Sequence, residues 1–218
     1  QIELQNRLRV QQREIILQAQ NEYKSGELES ALTKINQVLT VNKNHTEAIQ
    51  LKSGMLTHES EKIELDIKQN RFDEASKKLS LLLPYYKNEN KLVRLQQRIK
   101  QSEGQFTRIQ TLTNRLIQLS KQSITEQNFN SMYILAEELL VIDRSNHNAL
   151  NTQKKVVEWV YENGETKLKR ENFVAAEQRA NFLLKHDKNN NGYIDLMAKV
   201  QKGKQNELSV FNLMREAR

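Results

Sequence analysis

The sequence predicts an all-α fold, an array of antiparallel hairpins in which long and short helices alternate. Three observations carry this. First, one pattern occurs four times: a polar turn, an aromatic or Leu, two residues and then a small residue. The copies are Gly26-Glu27-Leu28-Glu29-Ser30-Ala31, Asn70-Arg71-Phe72-Asp73-Glu74-Ala75, Gln127-Asn128-Phe129-Asn130-Ser131-Met132 and Glu171-Asn172-Phe173-Val174-Ala175-Ala176. Second, apolar residues follow each copy at helical spacing, as Ile35, Leu79, Ala136 and Ala180, then as the doublets Val38-Leu39, Leu82-Leu83, Leu139-Leu140 and Leu183-Leu184. Counted from the small residue, the copies are offset by 44, 57 and 44 residues, a period typical of stacked helical hairpins. Third, six Gly and one Pro in 218 residues leave few helix breakers. A hydrophobic content of 37% is low for a compact core but suits an array that buries only facing stripes.

The elements follow from periodicity and caps. Residues 1–24 are predicted as a long helix ended at Ser25-Gly26, where Gly supplies a left-handed cap. A short helix over 28–41 turns Leu28, Ala31, Leu32, Ile35, Val38 and Leu39 inward. Asn42-Lys43-Asn44-His45 is a loop, and Thr46 is the expected cap of a helix running to about Gln69. The cycle repeats with 72–83, near Pro84. The stretch 88–126 carries 13 extra residues, which either extend one helix by nearly four turns or add a separate one, with Gly104 as the expected break. Helices over 129–142, 147–170, 173–186 and 192–214 complete the series. The whole of 1–218 is read as one array, with units at about 10–45, 46–87, 100–146 and 147–190 and a C-terminal capping helix over 191–218. The chain opens on Gln1 with Ile2, Leu4, Leu8, Ile15 and Ala19 already at helical spacing. It is therefore expected to be a fragment or a processed chain, cut within or just before a helix.

Over about residues 12–190 the chain resembles the tetratricopeptide-repeat family, with a longer first helix in each unit. The family's small residue in the second helix matches Ala31, Ala75 and Ala176, and Met132 departs. Its small residue in the first helix matches Ala19, Ser120 and Gly164, and Ile63 departs. The aromatic before the second helix matches Phe72, Phe129 and Phe173, with Leu28 substituting. The family's loop survives as Asn42-Lys43-Asn44-His45, Asp143-Arg144-Ser145-Asn146 and Asp187-Lys188-Asn189-Asn190, without its proline. The resemblance implies a right-handed superhelical solenoid. It also implies a concave groove, lined by first helices, that takes a peptide or partner helix. Carried over, its groove positions are Arg13, Gln20, Tyr23 and Lys24, then Glu64, Ile67 and Lys68, then Lys121 and Ile124, then Glu165, Leu168 and Lys169. Lys24, Lys68 and Lys169 share one repeat position. Either they form a basic row favouring an acidic peptide or a C-terminal carboxylate, or they are solvated lysines placed favourably against a helix dipole. The family's chaperone-binding carboxylate clamp is not reproduced.

Other chemistries find less support. Zero cysteines exclude disulfides, thiol catalysis and cysteine-ligated zinc. Residues 187–195 match the first nine positions of an EF-hand loop, but the twelfth, normally a bidentate Glu, is Ala198. Asp187, Asn189 and Asn190 are accounted for as an inter-repeat loop, so no metal or other cofactor is expected. His45, His147 and His186 fall at or near equivalent loops and His58 on a helix, without ligand or nucleophile spacing. No catalysis and no small-molecule substrate are predicted, and Trp159 is read as hairpin packing. A net charge of +7 raises nucleic acid or an anionic surface as a minor alternative. The late basic residues are interleaved with Glu158, Glu162, Glu165 and Glu171, as on a solvated helix face.

The sequence thus predicts a protein–protein interaction scaffold without chemistry of its own, whose partner is a protein of unspecified identity. The alternative is a self-association or assembly domain of a membrane-anchored bacterial envelope protein, with Leu4, Leu8 and Ile15 packing against a second copy. A cysteine-free chain suits an oxidising compartment, so the expectation leans to the bacterial periplasm or cell envelope over the cytoplasm.

Overall fold

The computed structural model describes residues 2–216. Gln1, Ala217, Arg218 and the side chain of Ile2, all included in the expected terminal helices, lie outside the described residues. Nine helices follow one another among the described residues: α1 Ile2–Lys24, α2 Leu28–Val41, α3 Thr46–Lys68, α4 Phe72–Leu82, α5 Asn90–Ser120, α6 Phe129–Ile142, α7 His147–Lys169, α8 Phe173–His186 and α9 Asn191–Glu216. No described residue is in a strand, and no described helix is long and apolar enough to cross a membrane. The chain divides within α5 into two compact units, Gln1–Thr107 and Arg108–Arg218. In each unit neighbouring helices in sequence are neighbours in space, as α1 with α2, α3 with α4 and α7 with α8.

The fourfold pattern is the core. Ala31, Ala75, Met132 and Ala176, the apolar residue four positions on, and the first member of every doublet are all at most 4% exposed. Burying a Leu or Ile side chain this fully contributes about 1.5–3 kcal/mol, and the repeat delivers that to each hairpin. The aromatics that open α4 and α6 pack on helices that follow them. Phe72 meets Phe106 at 5.8 Å between ring centroids, and Phe129 lies 5.5 Å from both Trp159 and Phe182.

The turn from long to short helix is built the same way in three copies. Gly26, Asn70 and Glu171 have φ of 90°, 57° and 57°. The next amide reaches back five residues: Glu27 N to Glu22 O at 2.8 Å, Arg71 N to Asp66 O at 2.8 Å, and Asn172 N to Lys167 O at 2.9 Å. This Schellman closure satisfies carbonyls that the helix end would orphan. Gly26 takes the left-handed conformation freely, whereas Glu171 does so at a cost of roughly 1–2 kcal/mol.

The turn from short to long helix is also copied three times. Asn42, Asp143 and Asp187 are extended and accept, through Oδ1, the amide two residues on, at 3.2, 3.1 and 3.1 Å. The fourth loop residue then caps the following helix. His45 Nδ1 accepts from Ala48 N at 3.4 Å, Asn146 Oδ1 from Ala149 N at 3.2 Å, and Asn190 Oδ1 from Gly192 N at 3.0 Å. The cap of α3 is therefore His45 and not the expected Thr46, because the loop closes as a four-residue unit whose last side chain faces the helix. The Asp187 oxygen that suggested a calcium loop serves a backbone amide just as its counterparts do.

The third copy departs, and α5 corrects the sequence reading. It is one 31-residue helix against 23 in α3, with no break at Gly104, whose Cβ position meets nothing within 4 Å. The loop that follows, 121–128, has eight residues against three at 69–71. The 13 extra residues thus divide into eight in the helix and five in the loop. The five displace the register, so Ser120, expected as the small inner residue, is the exposed last residue of α5. Leu116 is fully buried in its place, clustered with Leu135, Ala136 and Leu139.

Buried polar groups brace each unit. In the first, the Asp66 carboxylate, 1% exposed, accepts from Arg71 Nε at 3.0 Å, from Arg71 Nη2 and from Lys78 Nζ, which ties α3 to α4. Burial alone would raise its pKa, but hydrogen bonds from Lys78 and Arg71 outweigh that and hold it below the ordinary value. In the second, Arg179 on α8 pairs with Glu126 of the 121–128 loop and lies 4.6 Å from the Phe129 ring centroid. Lys167 of α7 reaches the same Glu126 at 3.2 Å. Phe173 packs against Gly203 of α9, where an added Cβ would collide with the ring.

Candidate functional site

The first unit carries a groove of about 470 Å³ between α3 and the start of α5. Helical spacing builds both walls. Glu61, Glu64, Leu65 and Lys68 recur on one face of α3, and Lys91, Arg94, Leu95 and Arg98 at i, i+3, i+4 and i+7 on α5. Leu95, 3% exposed, and the half-exposed Leu65 supply apolar surface. Arg98 pairs with Glu64. Lys68, Lys91 and Arg94 are exposed and have no ion-pair partner among the described residues. Four cations against two carboxylates, one already engaged, leave a cationic rim over an apolar base.

Of the sequence-predicted positions, Glu64 and Lys68 line this groove together. Ile67, expected beside them, is 5% exposed and belongs to the core, because one residue's step along a helix turns the side chain by about 100°. Arg13 is exposed on α1, Gln20 is half-buried, and Lys24 is the exposed last residue of that helix. Tyr23 is engaged: its hydroxyl donates to Glu59 Oε1 at 3.0 Å and lies 2.6 Å from His58 Nδ1. Burial first, then Glu59, pushes its pKa up. Lys121 and Ile124 are not on a first helix. They sit in the 121–128 loop, Lys121 exposed and Ile124 packed on the core, for the register reason that removed Ser120. In the second unit Glu165 and Leu168 are half-buried on α7, and Lys169 is its exposed last residue. Lys24, Lys68 and Lys169 each close a long helix, where a cation meets the negative end of the helix dipole.

The sequence reading missed Lys91, Arg94 and Arg98. They fall early in 88–126, where the repeat pattern lapses and the transferred positions reach only Lys121 and Ile124 at the far end. The signal was nonetheless present as a basic residue on successive turns, Lys91-x-x-Arg94-x-x-x-Arg98. The histidines take structural roles: His45 caps α3, and His186 Nδ1 lies 2.7 Å from the Tyr133 hydroxyl. Trp159 packs on Phe129. Comparison with protein-family models and with curated proteins finds no match to this chain.

Proposed function

We propose that this chain is a non-catalytic scaffold of tetratricopeptide-like hairpins that holds an acidic, leucine-bearing segment of a partner protein against the α3–α5 groove. The hairpin reading is supported by the two turn geometries, each copied three times. The observation that carries the binding reading is the set of three unpaired cations, Lys68, Lys91 and Arg94, around the apolar Leu65 and Leu95. An acidic segment with one or two leucines would complement both features, and charge would accelerate encounter as well as favour the complex.

Fluorescence anisotropy with a labelled peptide of interspersed Glu and Leu tests this, with its Lys-for-Glu counterpart as control. The acidic peptide should bind and the basic one should not. Lys68→Glu, Lys91→Glu and Arg94→Glu together should weaken binding by at least about tenfold, corresponding to about 1.4 kcal/mol, and added salt should do likewise. Equal affinity of the wild type and the charge-reversed chain would refute the site.

A second reading, self-association, is supported by exposed apolar residues. Leu4 and Leu8 on α1, and Leu208, Phe211 and Met214 on α9, are each at least 43% exposed. Sedimentation across a range of concentrations separates the readings. A mass that rises with concentration, and falls back in a Leu208→Glu, Phe211→Glu chain, favours assembly; a constant monomer mass removes it.

A further inference from the structure

The departure of the third hairpin from the repeat builds something that packing does not require. The five additional residues of the 121–128 loop stand against the first half of α7 and enclose a pocket of about 370 Å³. The loop is held from several directions. Asn128 Nδ2 donates to Ser123 O at 2.9 Å, Thr125 N donates to Asn128 Oδ1 at 2.7 Å, and Glu126 is held by Arg179 and Lys167. A wall fixed in this way is ready for a ligand without further ordering.

The lining is unlike the α3–α5 groove. Gln122 and Ser123 come from the loop, and Asn148, Asn151, Thr152 and Lys155 from one face of α7. No carboxylate lines it, and Lys155 is its one charge. Thr152 is decisive. It is 5% exposed and has no hydrogen-bond partner among the described residues. Elsewhere in these helices Thr33, Thr40, Thr57, Ser60, Thr166 and Ser209 donate to the carbonyl four residues back. That bond is the ordinary recourse of a helical hydroxyl, and Thr152 does not make it. The Thr152 hydroxyl oxygen is not sealed from solvent; it opens on the pocket that Thr152 lines and is free to pair with an entering group there.

We propose that this pocket binds a small polyhydroxylated oxyanion, a sugar acid or a sugar phosphate. Amide and hydroxyl side chains both donate and accept, which matches ligand hydroxyls that do the same. Lys155 would pair with the oxyanion, and Ile124 and Met132, also in the lining, would meet the C–H faces. The volume lies at the small end of the range for small-molecule sites, roughly 300–1,000 Å³, which suits one monosaccharide unit. The proposal departs from the sequence-based expectation of no small-molecule ligand, and it is independent of the peptide groove.

The test is an amide-resolved NMR titration of the whole chain with gluconate, glucose 6-phosphate, glucose and acetate. Gluconate or glucose 6-phosphate should give saturable shifts at Gln122 and Ser123 and in the side-chain amides of Asn148 and Asn151. Affinity should exceed that for glucose or acetate by at least about tenfold. Response to gluconate alone assigns a carboxylate source, and response to the phosphate alone assigns a phosphate source. Lys155→Met and Asn151→Leu alter exposed positions and leave the core intact; each should weaken binding by about tenfold. No saturation with either oxyanion, equal response to glucose or acetate, or undiminished binding in Lys155→Met would overturn the proposal.

Discussion

Replacing Asp66 by Asn removes the charge on which Arg71 and Lys78 converge while keeping nearly the same shape. Three hydrogen bonds from ionised donors reach this carboxylate. Such bonds contribute about 1.5–3 kcal/mol each, but Arg71 and Lys78 retain 48% and 37% exposure, so solvent screens much of that. Asn also keeps one acceptor. The expected loss is roughly 2–3 kcal/mol, which for a unit of this size lowers its unfolding midpoint by about 8–12 °C. Thermal unfolding followed by circular dichroism reads it, and a double-mutant cycle with Lys78→Met should show coupling of about 1 kcal/mol. The pH dependence gives a second reading. The folded pKa of Asp66 lies below its ordinary 3.8, so its contribution is present above that value and is lost as pH falls through the folded pKa. The gap between wild type and Asp66→Asn should therefore be constant near neutrality and close in acid. A variant within about 0.5 kcal/mol of wild type, the scatter of neutral surface changes, or a gap that persists in acid, would refute the reasoning.

Two further outcomes follow from the same structure. Gly104→Ala meets open space in the middle of α5 and should stabilise by about 0.8–1 kcal/mol through helix propensity. Gly203→Ala drives a methyl into the Phe173 ring and should instead cost about 1–3 kcal/mol; opposite shifts in urea midpoint check the pair. Burial, then Glu137, raises the Tyr133 pKa to about 12 from an ordinary 10.0, so its folded-state advantage holds below pH 10 and is lost as pH rises toward 12. Ultraviolet titration should show a late phenolate that Tyr133→Phe removes, and the variant should lose less stability across that alkaline range.

The hairpins were legible because their determinants are local and repeated. Ala31, Met132 and Ala176 with their following Ile or Ala announce a buried stripe at helical spacing, and α2, α6 and α8 span the expected 28–41, 129–142 and 173–186. What was not legible depends on how a surplus is partitioned. An offset of 57 residues states that 13 are extra; whether they lengthen a helix or a loop is decided by packing of Leu116 against α6, which no local propensity encodes. That one ambiguity displaced Ser120, Lys121 and Ile124 together. It also hid both candidate sites, since the groove uses the start of α5 and the pocket uses the loop that ends it. Ile67 failed for a different reason: a position transferred by resemblance carries no information about which side of the helix this chain buries.

The inter-repeat loop, with its aspartate or asparagine turn and its terminal cap, makes the same bonds in each copy, among its own four residues and to the backbone of the two helices it joins. A segment running from one such loop to the next is therefore a cassette with matched ends. Exchanging 143–146 for 187–190 should be silent, and duplication or loss of a 44-residue cassette would leave both junctions chemically intact. Selection acting on such a chain can vary the number of hairpins without first solving a new turn, and can reserve novelty for the two connections that break the rule, 83–89 and 121–128.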